Sequence, residues 1–148
     1  MLNLLILLFS LLVSIYEGSE ILNTPWEWEH TAIFSNLTNE QLKTTKDILL
    51  IDYFIFAAKF SPIYPIVSLI ATYSITFQII FWIKNKLTRI ISFWLITFIS
   101  IILMITLKNS PTQGLHLISI LFGLSTFISI SIALFLIKNN MEKNTSID

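Results

Sequence analysis

Residues 48–83 read ILLIDYFIFAAKFSPIYPIVSLIATYSITFQIIFWI. As one straight helix this stretch would extend about 54 Å at 1.5 Å per residue. The hydrocarbon core of a bilayer is roughly 30 Å thick, so it takes about 20 residues to cross. The stretch is therefore too long for one span. It carries its own break, since Pro62 and Pro65 disfavour a continuous helix through the middle. The sequence predicts a short helix over 48–60 and a membrane-crossing helix over 62–83. The latter contains no Asp, Glu, Lys or Arg.

Composition supports lipid as the solvent. The chain has 148 residues, 55% of them hydrophobic and only 12% charged, with a mean hydropathy of +0.79. Soluble domains carry about 25% charged residues. A water-soluble fold of this length could not hide so much apolar surface in one core. Net charge is zero, so no global field draws in nucleic acid. There is no cysteine, which removes disulfides, thiolate nucleophiles and sulfur-ligated zinc.

Further spans follow from the same criterion. Residues 90–107 and 115–137 are apolar, and 1–16 form a shorter apolar run. The opening run has the length of a signal-peptide core. It lacks a basic leading region and a small-x-small cleavage site, so an uncleaved anchor is expected, with a signal peptide as the alternative. Helical continuation through 17–22 would lengthen it. Lys84, Lys86 and Arg89 make 84–89 the basic connection, and positive loops stay inside. This places 17–61 and the turn 108–114 outside, and both termini, including the tail 138–148, in the cytoplasm. The expected fold is an all-α membrane protein. It is a four-helix transmembrane bundle with a short extracytoplasmic cap that contains an interfacial helix over 48–60.

Local signals refine this picture. Ser61-Pro62 and Ser110-Pro111 each set a capping hydroxyl before a proline suited to a first helical position. Thr24-Pro25 with Glu27 repeats the pattern. Ser68, Thr72 and Thr76 form one small-residue stripe; Ser125, Ser129 and Ala133 form another beside Ser119 and Gly123. Such stripes predict faces turned into the bundle, with Gln78 as the polar side chain expected to bond across.

The segment 17–61 holds seven of the nine acids against Lys43, Lys46 and Lys59. Trp26 and Trp28 suit the headgroup layer, where indole finds both apolar and polar neighbours. Asp52 and Lys59 are seven residues apart and share a helical face. The expectation is that both turn to water; a location at membrane depth would instead mark function. Glu17, Glu20, Glu27, Glu29 and His30 are ligand-type residues, but they lack a metal spacing such as H-E-x-x-H. A solvated acidic rim is the favoured reading. No phosphate loop, dinucleotide fingerprint or nucleophile–histidine–acid pattern occurs. No cofactor, metal or catalytic residue is assigned.

Two blocks occur in order: YEGS at 16–19 with PWEW at 25–28, and DYFIFAAKFSPIYP at 52–65. Together they resemble the YjdJ-like family of small uncharacterised bacterial membrane proteins, which carry a domain of unknown function. The resemblance covers the first half of the chain and lends no activity. It singles out Tyr16, Glu17, Gly18, Ser19, Pro25, Trp26, Glu27, Trp28, Asp52, Tyr53 and Lys59 as the candidate functional cap, together with Ala57, Ala58 and Phe60. The expected role is a non-enzymatic structural, interaction or accessory protein of the cell membrane. Its expected partners are the lipid bilayer and a membrane protein or second copy, not nucleic acid. The alternatives are a small transporter or channel subunit, and a membrane-surface enzyme using Glu27, Glu29 and His30.

Overall fold

The structure is a computed structural model and describes residues 1–38, 42 and 44–145, with side chains through Asn139. Glu40, Lys43 and the last three residues of the tail lie outside the described residues. Among the described residues all regular structure is helical. Helix α1 (Leu2–Gly18) continues as a 3₁₀ turn over Ser19–Asn23. A second 3₁₀ turn, Pro25–Glu27, leads into α2 (Trp28–Thr31). There follow α3 (Ile33–Thr38), a 3₁₀ turn at Thr45–Asp47 and α4 (Leu50–Phe60). Three long helices complete the chain: α5 (Ile63–Trp82), α6 (Lys86–Lys108) and α7 (Gln113–Thr145).

Four helical stretches are long and apolar enough to cross a membrane: Leu2–Asn23, Ile63–Trp82, Lys86–Lys108 and Gln113–Asn139. The 3₁₀ extension brings the first to 22 residues. Several boundaries differ from the sequence reading. Helix α6 starts at Lys86, because the Asn85 side chain caps it by accepting from the Leu87 amide at 3.0 Å. Lys86 and Arg89 therefore sit on its first turn, and the break after α5 shrinks to a few residues. Helix α7 runs on into the tail. Ser61 does not cap α5, which begins at Ile63 with Pro62 as its N-cap residue; it closes α4 instead, its amide donating to the Ala57 carbonyl at 2.7 Å. Ser110 bonds Thr112 rather than opening a helix at Pro111.

The long helices pack mainly as two pairs, α1 on α5 and α6 on α7. In α1 the buried residues are Ser10, Ser14 and Gly18. Their four-residue spacing forms a small-residue stripe that lets helix backbones approach. Asn3 Nδ2 donates to Ser74 Oγ at 2.8 Å, and Phe9 packs edge-on against Tyr64. These contacts set α1 off toward one end. Eight residues of α5 lie beyond Ser74, so α5 runs about 12 Å past the start of α1. At the other end, α1 projects beyond α5 and meets α4.

In the second pair, Ser119 Oγ donates to the Met104 carbonyl at 3.0 Å, and Gly123 lies against the Met104 sulfur. Ser125, Ser129 and Ala133 are buried, as their stripe predicts. On α5 only Ser68 of the predicted stripe is buried, and Gln78 is exposed. Thr72 and Thr76 bond carbonyls of their own helix, at 2.8 and 2.7 Å. The polar link across the pairs comes instead from Tyr73, whose hydroxyl lies 2.7 Å from Ser100 Oγ; Ser125 donates to the same Ser100 at 3.3 Å.

Helix α4 ties the pairs together. A Cβ on Gly18 would stand 1.8 Å from the Tyr53 carbonyl oxygen, and one on Gly114 would stand 2.3 Å from that of Ala58. Tyr53 and Ala58 are five residues apart, about 8 Å along the helix. That is close to one interhelical spacing. Helix α4 thus reaches from the end of α1 to the start of α7 across one end of the bundle, with a glycine at each crossing.

Candidate functional site

The short segments between α1 and α4 fold onto this bridge as a cap. Ile21, Ala32, Ile48 and Phe56 form its buried core, with Leu22, Trp28, Leu42 and Tyr53 packed around it. Trp28 is half-buried, and its indole N–H donates to the Ile21 carbonyl at 2.8 Å. Its ring packs against the cap core, and its N–H is committed to a partner within the protein. Trp26 is different, at 71% exposed.

Asp52 and Lys59 depart most from expectation. Asp52 is fully buried. Its carboxylate accepts from the Phe34 amide at 3.0 Å, the Ser35 amide at 2.8 Å and the Ser35 hydroxyl. The first amides of a helix have no partner within it. Ala32, just before α3, has no side chain to cap them. Asp52 therefore caps α3 from another helix. Ser35 Oγ in turn accepts from the Leu49 amide at 2.8 Å, so the same hydroxyl ties down the start of α4.

Lys59 grips the preceding segment two turns away. Its ammonium donates to Thr31 Oγ1 at 2.6 Å and to the His30 carbonyl at 3.5 Å. It lies 3.7 Å from Glu27 Oε2, which also accepts from Thr31 at 3.0 Å. An anion at the start of α3 and a cation at the end of α2 match the partial charges of those termini. Both charges turn inward, not to water, because α2 and α3 offer backbone and hydroxyl partners on that face. The partners Ser35 and Thr31 are what sequence reading missed. A lone serine or threonine in a polar segment gives no periodic signal.

Beside this scaffold lies a groove with a volume of about 460 Å³. Glu17, Glu20 and Glu27 line it with Trp26, Phe56 and Phe60; Thr24 and Ser61 complete the rim. Glu17 Oε2 is buried with no hydrogen-bond partner among the described residues, an unfavourable state for a carboxylate oxygen. Glu20 accepts from Asn23 at 3.3 Å. Lys59 is the cation paired with a groove acid, and it is shared with Thr31. The groove thus combines an anionic wall with aromatic faces, an arrangement suited to an organic cation.

The other residues singled out by sequence are placed as follows. Tyr16 is exposed, and Gly18 is buried at the α4 crossing. Ser19 Oγ donates to the Tyr16 carbonyl at 2.6 Å, holding the turn that follows α1. Pro25 opens its 3₁₀ turn. Ala57 and Ala58 are buried, the latter against α7. Glu29 and His30 are exposed. Among the described residues no three His, Cys, Asp or Glu side chains gather closely enough to hold a metal ion.

Comparison with known proteins adds lineage and no activity. No solved structure is significantly similar to the chain. The uncharacterized protein YjdJ of Bacillus subtilis (strain 168) is 31% identical over 90 residues, covering 57% of this chain and 83% of the relative. The model of a domain of unknown function, DUF4306, matches residues 1–84, which include α1, the whole cap and α5. On that match the chain belongs to the DUF4306 family.

Proposed function

We propose that the protein is a multi-pass membrane protein of the interaction or accessory type. In this reading its cap lies outside the cytoplasm and presents the acidic, aromatic groove to a cationic group on a partner. The observation that carries the reading is the groove itself: Glu17, Glu20 and Glu27 line it together with Trp26, Phe56 and Phe60. A lysine, arginine or ammonium headgroup would pair with these acids and stack on the rings. The charge distribution supports the orientation. Lys84, Lys86 and Arg89 lie at the end of α5 and start of α6, opposite the cap, and basic connections stay inside.

The alternatives draw less support. The fully buried polar residues of the four apolar helices are Ser or Thr among the described residues; Glu17 and Glu20 lie at the cap end of the first helix, so no ionisable group marks an ion path through the bundle. Glu27 is engaged by Thr31 and Lys59, while Glu29 and His30 are exposed.

The test uses the full chain in its native membrane, with a photoreactive phenylalanine analogue at Trp26. Crosslinks to a partner should appear and be lost in the Glu17→Gln, Glu20→Gln double variant, with the cap still protease-resistant. Crosslinks insensitive to the double substitution would refute the groove. Orientation is tested separately, using the absence of native cysteine. Single cysteines at Glu29 and Thr112 should react with a membrane-impermeant maleimide in intact cells, and those at Lys86 and Thr145 should not. Reaction at Lys86 would invert the topology.

A further inference from the structure

The cap carries a second surface, unrelated to the groove. Ile33, Phe34 and Leu37 on α3, with Leu49, Leu50 and Ile51 at the start of α4, are between 41% and 77% exposed. They belong to one patch, because Asp52 and Ser35 bond these two segments directly to each other. A cap standing wholly in water would expose a cluster of large apolar side chains at its tip, and such clusters mark contact surfaces.

We propose that this tip is inserted into the bilayer leaflet at the cap end, as a membrane anchor additional to the four apolar helices. Three observations favour acyl chains as the occupant. First, the patch lies beside exposed apolar surface of the first apolar helix. The Gly18–Tyr53 crossing sets the start of α4 against the end of α1, where Leu12 and Tyr16 are exposed. Second, residues 33–37 and 48–52, which carry the six apolar side chains, include one ionisable group, Asp52, and it is fully buried with three donors. An ionisable side chain left open would oppose insertion. Third, three backbone amides of the tip are satisfied by buried side chains of the protein. Phe34 and Ser35 donate to Asp52, and Leu49 donates to Ser35 Oγ. Hydrocarbon demands such internal satisfaction, whereas water would satisfy the same amides itself. An interfacial element of this kind reaches about 5–10 Å into the headgroup and acyl boundary. The inference holds for either orientation of the chain.

The experiment uses the full chain in phosphatidylglycerol and phosphatidylethanolamine vesicles. Single cysteines replace Leu37, Leu50 or, as an exposed polar comparator, Lys46, and each carries a bimane. With the tip inserted, the labels at 37 and 50 emit to the blue of the label at 46. They are quenched by lipids bearing a nitroxide high on the acyl chain and are protected from aqueous iodide; the label at 46 shows the reverse. Iodide quenching at 37 and 50 equal to that at 46 would overturn the proposal. So would protection from both quenchers, which would mean that a second copy of the chain covers the tip. A third labelled variant, Ile51→Cys, replaces either one that fails to fold.

Discussion

In the cap, a carboxylate, an ammonium and an indole reach across to close the backbone of other segments; in the α6–α7 pair the bonds between helices are made, among the described residues, by serine hydroxyls alone, Ser119 to the Met104 carbonyl and Ser125 to Ser100. Asp52 and Lys59 hold α3 and α2 from α4, and Trp28 holds the turn after α1. By contrast Thr97 and Thr126 bond carbonyls one turn away in the same helix. Ser129 is buried with no partner among the described residues. The α6–α7 contact depends on close fit, through Gly123 on Met104 and Phe93 beneath Ala133. The difference follows from what each region has available. A regular membrane helix satisfies its own backbone, and lipid offers no apolar incentive to associate, so small residues and fit remain. The cap is made of fragments too short to be stable alone, so their open ends must be closed by side chains from elsewhere.

This contrast can be broken most sharply at Asp52. Asp52→Ala should lower stability by about 4 kcal/mol, since it leaves two amides and a hydroxyl without their acceptor. Limited proteolysis within 28–49 should rise while α6–α7 stays protected. Unfolding of both regions together would show that the cap is not separately held. Gly18→Ala should cost about 3 kcal/mol, because the added methyl meets backbone that cannot swing aside. Denaturant titration in detergent would read it, and a change within error would dismiss the close crossing. Trp28→Phe keeps the ring and removes the bond to Ile21. About 1 kcal/mol is expected, seen as a lower midpoint in the same titration.

The helical pairs should respond less. Tyr73→Phe removes the hydroxyl link to Ser100 and should cost about 0.6 kcal/mol, the usual scale for hydrogen bonds between membrane helices. Ser129→Ala should change stability by about zero or raise it, since the hydroxyl it deletes has no partner to lose. A large loss at Ser129 would reveal a bond that the contrast omits.

The long apolar stretches and the break between α4 and α5 were legible because hydropathy and proline act locally. The stripe Ser125, Ser129 and Ala133 was legible for the same reason: spacing alone puts small residues on one face. The matching stripe Ser10, Ser14 and Gly18 has the same spacing, but it lies in a run whose length also fits a signal-peptide core. Gln78 shows the limit of polarity as a guide, since it is exposed while Tyr73 makes the link. The direction of Asp52 and Lys59 was not legible. Periodicity placed both on one face, but what covers a face is set by contacts distant in sequence. Gly114 was hidden too, because a glycine in a turn looks the same whether or not another backbone passes over it.

That last glycine has a consequence for how the molecule is made. Ala58 and Lys59 in α4 rest on Gly114, some fifty residues later in the chain. As the polypeptide emerges from the ribosome, α4 has no seat on that side until the final hydrophobic hairpin has been released and laid in place. Closure of the lid is therefore a late event in biogenesis, and a nascent chain stalled before residue 110 would present an unfinished, protease-sensitive head.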